Sequence, residues 1–378
     1  MRIYLTKYET MSTETTKVIS DAVFPQRVHW FPETYDKAKT GLFQAPKRIA
    51  DRLVTEDMVK HVCNNKAPGK IGFILAGGSQ VWGTGGVPLY DQCLTNSLAY
   101  AYKVEVLNVT NIFGARIASP LHANDYVATD ASTCASSLKV LMDVRHLIRD
   151  YGFDRVYVLG LEDSITNTVM NFFGSAKANI CLDDEARGAV PSAFDSKNGG
   201  FYLGQGGVLA VFESERSVLA CDSPVAAELL NAYSASEDNS NPLGQRPDGQ
   251  GYKKAIEGAT HGHPLTDVRL IKTHGTGTPI NNLSERAAIE HYFDNFIATS
   301  YKQRIGHTVG ASGLLETCLL LNDIRKGSIP EIKNRTEVDE RFISHPQPAP
   351  DGLMLSLAAG MGNIYSAALF SYHDYYKI

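Results

Sequence analysis

Residues 125–149, DYVATDASTCASSLKVLMDVRHLIR, constrain this chain more than any other stretch. Tyr126-Val127-Ala128-Thr129 joins aromatic and β-branched residues with one alanine, which predicts a short buried strand. Small residues follow from Ala131 to Ser137. Leu138, Leu141, Met142, Arg145 and Ile148 then recur at helical spacing, and all but Arg145 are apolar. The pattern predicts a strand, a tight turn at Cys134 and a helix that begins there. A thiol at a helix N-terminus meets unpaired N–H groups and the positive end of the macrodipole, both of which favour an anion. The expected result is a lowered thiol pKa and a nucleophile. A small buried cysteine that only packs is the competing reading of this stretch alone.

The rest of the chain repeats the alternation of strand and helix. Buried-strand patterns stand at 71–76, 155–160, 268–273, 353–357 and 365–372, and one helix carries Leu314, Leu315, Cys318, Leu319 and Leu321. Such alternation indicates an α/β fold with parallel or mixed sheets. Residues 2–8 suit a first strand, 24–32 a loop, 45–62 one or two helices, and 201–212 a glycine-rich bend followed by a strand. Ser284 is placed to cap a helix through Ala287, Ala288 and Tyr292. Residues 233–252, rich in Gly, Pro, Ser and Asn, read as a long surface loop. A strand, a reactive residue and a helix occur around Cys134 and again around His274, which points to a duplicated architecture.

Composition narrows the function classes. The 378 residues are 43% hydrophobic and 20% charged, an ordinary globular balance with ample length for a large core. Net charge is −5 and no Lys/Arg cluster forms a basic footprint, so no nucleic-acid partner is expected. Cys63, Cys93, Cys134, Cys181, Cys221 and Cys318 are scattered without a CxxC pair, so neither a metal site nor a disulfide framework is expected. Six scattered thiols fit a reducing cytoplasm. The N-terminus has no secretory h-region and no run of about 18 apolar residues occurs, so neither a signal peptide nor a membrane span is expected. Glycines at 77–86 follow a strand but lack nucleotide-loop spacing, which favours close backbone packing.

Two histidines share the small-residue setting of Cys134. His274 opens HGTGTP at 274–279, where two glycines flanked by Thr276 and Thr278 let a backbone approach a ligand while hydroxyls offer donors. His307 stands in KQRIGHTVGASG at 302–313, with the same logic.

These motifs resemble, in order, those of the β-ketoacyl-acyl-carrier-protein synthases, condensing enzymes of the thiolase fold. TCASS resembles the nucleophile motif and places the active cysteine at Cys134; HGTGTP gives His274; KQRIGHTVGASG gives Lys302 and His307; Glu316 follows nine residues later. NGGFYLGQGGVLAVFE at 198–213 and SLAAGMGN at 356–363 resemble two further family segments, and the likeness runs over roughly 70–372. Paired histidines resemble the elongating branch. Departures are the weakly similar N-terminal region before Ile71, Met361 where a Phe is usual, and Asn282 where an Asp is usual, with Glu285 kept.

The resemblance implies an α/β thiolase-like fold with duplicated five-layered αβαβα architecture. Residues 1–378 would form one unit, with an N-terminal half to about 215 carrying the nucleophile and a C-terminal half, 216–378, carrying the histidines. It implies acylation of Cys134 from the phosphopantetheine arm of an acyl carrier protein, with no cofactor of the chain's own and no metal. Backbone N–H groups of Cys134 and Met361 would hold the oxyanion. Malonyl-carrier protein would then lose CO2, and neutral His274 and His307 would each donate an N–H to the enolate. Lys302 and Glu316 would pair behind His307, while Thr276, Thr278 and Met361 would contact substrate, Met361 as a gate to the acyl pocket. A homodimer or a heterodimer with a related synthase is also implied. Two other readings carry different expectations: a chain-length-factor-like partner subunit with little catalysis, and a Cys–His hydrolase.

Overall fold

The computed structural model describes residues 1–20, 23–29, 31, 44–56, 58–59, 69–77, 110–163, 167–197, 199–337 and 339–372. Cys63, Cys93 and residues 78–86 of the glycine-rich stretch lie outside the described residues.

The strands are β1 (Ile3–Met11), β2 (Thr16–Ile19), β3 (Gln26–His29), β4 (Lys70–Ala76), β5 (Tyr126–Asp130), β6 (Phe153–Asp163), β7 (Leu203–Ser214), β8 (Ala227–Ser236), β9 (Val268–Lys272), β10 (Ile297–Thr299), β11 (Leu353–Gly360) and β12 (Ile364–Ser371). Among them one path runs β10-β9-β11-β12-β8-β1-β7-β6-β4-β5. It reads as two sheets of the same design. Counting strands within each half and leaving the β2–β3 hairpin aside, both have the order 3-2-4-5-1. In both, the first three strands of that order are parallel and the last two pairings are antiparallel. The halves touch where Tyr4 and Leu5 of β1 meet Glu228 and Ala227 of β8.

Three apolar clusters give the layers. Helices Ser136–Arg149 and Ser312–Arg325 lie between the two sheets, and Leu138, Leu141, Val144, Leu314, Leu315 and Leu321 pack there against residues of both halves. Helix Gln44–Leu53 covers the outer face of the first sheet through Ile49, Ala50 and Leu53. Helices Gln250–Thr260 and Pro279–Tyr292 cover the outer face of the second through Tyr252, Ile256, Ala288 and Ile289. The order is therefore helix, sheet, helix, sheet, helix. This is the five-layered arrangement that the resemblance implies.

The duplicated unit is not the one the sequence suggested. By strand order His274, at the end of β9, corresponds to the end of β4, not to Cys134. The counterpart of the Cys134 turn is the turn at 309–311. Each is a single 3-10 turn, Thr133–Ala135 or Val309–Ala311, leading into a central helix. Each also holds one non-glycine residue at positive φ, 51° at Thr133 and 38° at Val309. Reactive residues are a poor guide to the repeat because it lies in backbone path, not in chemistry.

Three other expectations change. Residues 24–32 include β3, which pairs with β2 and, in parallel, with β7. The glycines of 204–207 lie inside β7 rather than in a bend. A Cβ at Gly206 would come within 2.9 Å of Leu315 and Thr308, and one at Gly207 within 2.9 Å of Ile49 and Leu53, so glycine admits the helices on either face. Among the described strands β5 ends the path, and with Tyr126 40% and Val127 38% exposed it is not a buried strand.

Candidate active site

Cys134 sits in the 3-10 turn that enters helix Ser136–Arg149, one residue after the left-handed Thr133. It is 5% exposed and packs with Val28, Met170, Phe173, Phe201, Leu203 and Val309, with Met361 at the margin. The placement at a helix entry is as expected, but the ionisation is not. Burial pushes the thiol up to about 12, and the Lys302 ammonium only partly opposes this. Apolar walls outweigh the favourable charge because a thiolate there loses its water. The resting group is a thiol.

His274 and His307 meet edge-on, with ring centroids 5.7 Å apart. His307 also stands edge-on to Phe201 at 4.9 Å and Phe173 at 6.3 Å, the rings that pack in the Cys134 cluster. Both imidazoles are held well below the ordinary histidine range, first by burial and then by nearby Lys302 and Lys272. Both are neutral.

The HGTGTP loop owes its shape to two glycines and one carboxylate. Gly275 and Gly277 have φ of 57° and 75°. A Cβ at Gly277 would collide with the Ser192 carbonyl, so that only glycine fits. Glu285 accepts from the backbone N–H of His274 at 2.5 Å and of Gly275 at 2.9 Å, and from Asn281 at 3.0 Å. Thr276 and Thr278 share a hydroxyl contact at 3.1 Å. The helix after them starts at Pro279, where a missing N–H costs nothing, rather than at a Ser284 cap; Ser284 is buried within it. Asn282 accepts from the Phe194 N–H at 3.1 Å.

Lys302 and Glu316 pair at 2.7 Å, both fully buried. A second lysine joins them. Lys272 Nζ lies 3.3 Å from the other Glu316 oxygen and donates to the Leu357 carbonyl at 2.8 Å. Burial brings Lys272 down to about 8, against the pull of Glu316. Sequence reasoning missed Lys272, Ser312 and the loop-shaping role of Glu285. Glu285 left a trace as a carboxylate retained after HGTGTP; a lysine in a strand gives no sign of a carboxylate on a distant helix.

The glycine turn at 360–363 abuts the nucleophile. Thr133 Oγ1 donates to the Met361 carbonyl at 3.3 Å, and a Cβ at Gly360 would strike Thr133 Oγ1 and the Ser132 carbonyl. The structure thus brings Cys134, His274, His307, Lys302, Glu316 and Met361 into one region. Among the described residues no cluster of three His, Cys, Asp or Glu is arranged to hold a metal ion, and no helix is long and apolar enough to cross a membrane.

Buried neutral histidines set an acid limit on stability. His29, on β3, is lowered to about 4 by burial, with its Nδ1 3.1 Å from the Thr13 carbonyl. Between that value and the ordinary 6.5 the unfolded chain binds more protons, so folding stability falls as pH drops through this window. His29 alone contributes a loss of about 3 kcal/mol by pH 4, and His274 and His307 act in the same direction. Urea midpoints should fall steadily from pH 7 to pH 4.5, with a shallower slope in His29→Gln. A midpoint independent of pH over this range would contradict the burial of neutral rings.

Comparison with known proteins places this geometry. The model of the β-ketoacyl synthase N-terminal domain matches residues 59–217, and that of the β-ketoacyl synthase C-terminal domain matches residues 226–336. The chain belongs to the β-ketoacyl synthase family. This family member is 28% identical over 222 residues to 3-oxoacyl-[acyl-carrier-protein] synthase 2 of Mycobacterium leprae, covering 58% of the chain and 53% of the relative. It is 28% identical over 216 residues to the Synechocystis protein of the same name, covering 55% and 51%. The matched region spans about half the length of these curated relatives. In fold, the chain resembles a β-ketoacyl synthase from Burkholderia phymatum (TM-score 0.82, 16% identity, 99% and 100% of the chains). It also resembles a type II polyketide ketosynthase solved with its acyl-carrier protein (TM-score 0.77, 16% identity, 99% of each chain) and the ishigamide ketosynthase/chain length factor (TM-score 0.75, 18% identity, 99% of each chain). At these identities the likeness speaks for the thiolase-like fold alone.

Proposed function

We propose that this synthase-family chain catalyses decarboxylative condensation of an acyl thioester, held on Cys134, with malonyl-acyl-carrier protein, in fatty-acid or polyketide synthesis. The observation that carries the reading is the convergence of a helix-entry thiol and two neutral imidazoles on one apolar cluster. Neutral rings suit an enolate, because an imidazolium would protonate the carbanion that must form the new bond. His274 donates to the developing enolate oxygen. Backbone N–H groups at Cys134 and Met361 hold the acyl oxyanion. Thr276 and Thr278 border the route of the carrier arm, and the halves 1–215 and 216–378 work as one unit. Carrier protein as the substrate's vehicle accords with the names of the curated relatives and with the ketosynthase solved in complex with one.

Mass spectrometry after incubation with a set of acyl-carrier proteins tests this reading. The expected result is one acyl group on Cys134. A chain that folds, takes up no acyl group and gains activity only beside a second synthase would instead be a chain-length-factor-like subunit, the reading favoured by likeness to a ketosynthase/chain length factor. Dimerisation through β5, where Tyr126 and Val127 are exposed, accompanies the proposal; an active monomer in light scattering would remove it.

Met361 is proposed to set acyl access. Its side chain borders the Cys134 cluster, and Gly362, at φ 84°, has open space around its Cβ position. A methionine is slimmer and more adaptable than the phenylalanine usual in the resembling motif. Met361→Phe should therefore shorten the preferred acyl chain in competition assays without changing Cys134 alkylation by iodoacetamide. An unchanged product profile would reduce Met361 to packing.

A further inference from the structure

Lys272 is the last residue of β9, and its fully buried ammonium takes no part in the proposed condensation. The parallel ladder between β9 and β11 ends at this residue, where Lys272 faces Ser356. Beyond it the chain leaves β9 for the HGTGTP loop, while β11 runs on to Gly360 beside β12. The lysine side chain spans the place where the two backbones part. Nζ donates to the carbonyl of Leu357, the next residue of β11, at 2.8 Å, and to Glu316 Oε2 at 3.3 Å. One group therefore joins the strand that delivers His274, the strand that ends at the 360–363 turn, and the helix between the sheets. Its charge matters as much as its reach. Lys302 at 2.7 Å and the Ser312 hydroxyl at 2.5 Å both take Glu316 Oε1, and Lys272 is the ion partner of Oε2 among the described residues. A buried carboxylate that loses such a partner is strongly destabilised. Brought to about 8 by burial, Lys272 is still an ammonium at neutral pH.

We propose that Lys272 is a positioning residue whose ammonium ties the end of β11 to helix Ser312–Arg325 and so sets the 360–363 turn against Cys134. A slip of β11 reaches the nucleophile at once. A Cβ at Gly360 would come within 2.6 Å of the Ser132 carbonyl, and Thr133 Oγ1 donates to the Met361 carbonyl at 3.3 Å. The turn and the Cys134 loop therefore move together or clash. The tie belongs to the fold and needs no substrate. Its effect on catalysis rests on the condensing-enzyme reading, in which the Met361 N–H holds the acyl oxyanion. Lys272 touches neither substrate nor reacting atom there; it acts through the backbone of β11. Charge-assisted bonds to a carboxylate and a carbonyl suit this task, because they fix two partners on different elements at once.

Lys272→Ala separates charge from packing, because it removes three methylenes and the ammonium and leaves room for a small cation. Hydrogen–deuterium exchange of residues 353–364 is followed at pH 7 in ammonium chloride and in tetramethylammonium chloride at equal ionic strength. Exchange in tetramethylammonium should be about tenfold faster than in the unaltered chain, the usual effect of losing one such bond. Ammonium, which carries N–H donors as Nζ does, should restore it toward the unaltered rate. Lys272→Met, which fills the space without charge, should exchange fast in both salts. Acylation of Cys134 by a set of acyl-carrier proteins should follow the same pattern, slowed about tenfold to 100-fold where the turn is loose. Unaltered exchange in Lys272→Ala overturns the proposal, and equal exchange of that variant in the two salts does so too, since packing alone would then be at work. Should the alanine variant fail to fold, Lys272→Gln, which keeps an N–H donor without the charge, is read in its place. Faster exchange confined to 353–364 upholds the tie, and exchange as in the unaltered chain overturns it. No carrier protein enters the exchange measurement. An unaltered chain that takes up no acyl group therefore refutes the condensing-enzyme reading while the exchange rates still decide the tie.

Discussion

Cys134→Ala should leave no acyl-enzyme and no condensation, with folding intact. Four cysteines can be compared among the described residues. Cys318 is buried in the central helix layer, and burial raises its thiol strongly. Cys181 and Cys221 are partly exposed and do not belong to the apolar cluster around Cys134. Cys134 alone joins a helix entry, a left-handed residue before it, and a shared apolar wall with His307. Removal of a covalent nucleophile costs on the order of 10⁴- to 10⁶-fold. Only a sulfur is lost and a small void is left, since Cys and Ala differ by one heavy atom, so a stability change of about 1 kcal/mol is the structural cost. Intact-mass analysis should show the acyl adduct on the unaltered chain and none on the variant. Full adduct formation on Cys134→Ala would move the nucleophile elsewhere.

His274→Ala should separate the half-reactions. The ring is fully enclosed, neutral and edge-on to His307, and its backbone N–H is anchored by Glu285, so the loop keeps its shape when the side chain is cut back. Acylation of Cys134 should stay within about threefold, since it needs no enolate. Condensation should fall about 100- to 1,000-fold, the usual effect of losing one preorganised donor to developing negative charge. Glu285→Gln is the companion variant; it keeps one of the two acceptor oxygens, sets an amide NH2 against the donors of the other, and should lower condensation less than loss of the ring itself. Condensation at the unaltered rate in His274→Ala would make the ring structural.

How much of this was legible in the sequence depended on whether the signal was local. The strand–turn–helix around Cys134 follows from spacing within 25 residues, and the histidine motifs from small residues that only a close backbone approach explains. The ionisation of Cys134 was not legible, because the walls that desolvate it come from β3, β7, helix Asn167–Ser175 and the 309–311 turn. Lys272 reads as one more polar strand residue until Glu316 arrives from the helix between the sheets. Gly206 and Gly207 punctuate the sequence as a bend would, yet they are what lets helices pack against both faces of a straight strand. The duplication was visible only in outline; strand order and the paired 3-10 turns give it its actual register.

The proposed carbon–carbon bond formation at Cys134 is open to one direct assay. The purified chain is first acylated on Cys134, freed of excess donor, and then given malonyl-acyl-carrier protein, with CO2 and carrier-bound products quantified together by isotope release and mass spectrometry. The expected product is a carrier-bound 3-ketoacyl thioester two carbons longer than the starting acyl group, with CO2 released in equal amount, and loss of both products in Cys134→Ala. Release of the free acid from Cys134, without CO2 and without a 3-ketoacyl product, would contradict condensation and make the chain a thioester hydrolase.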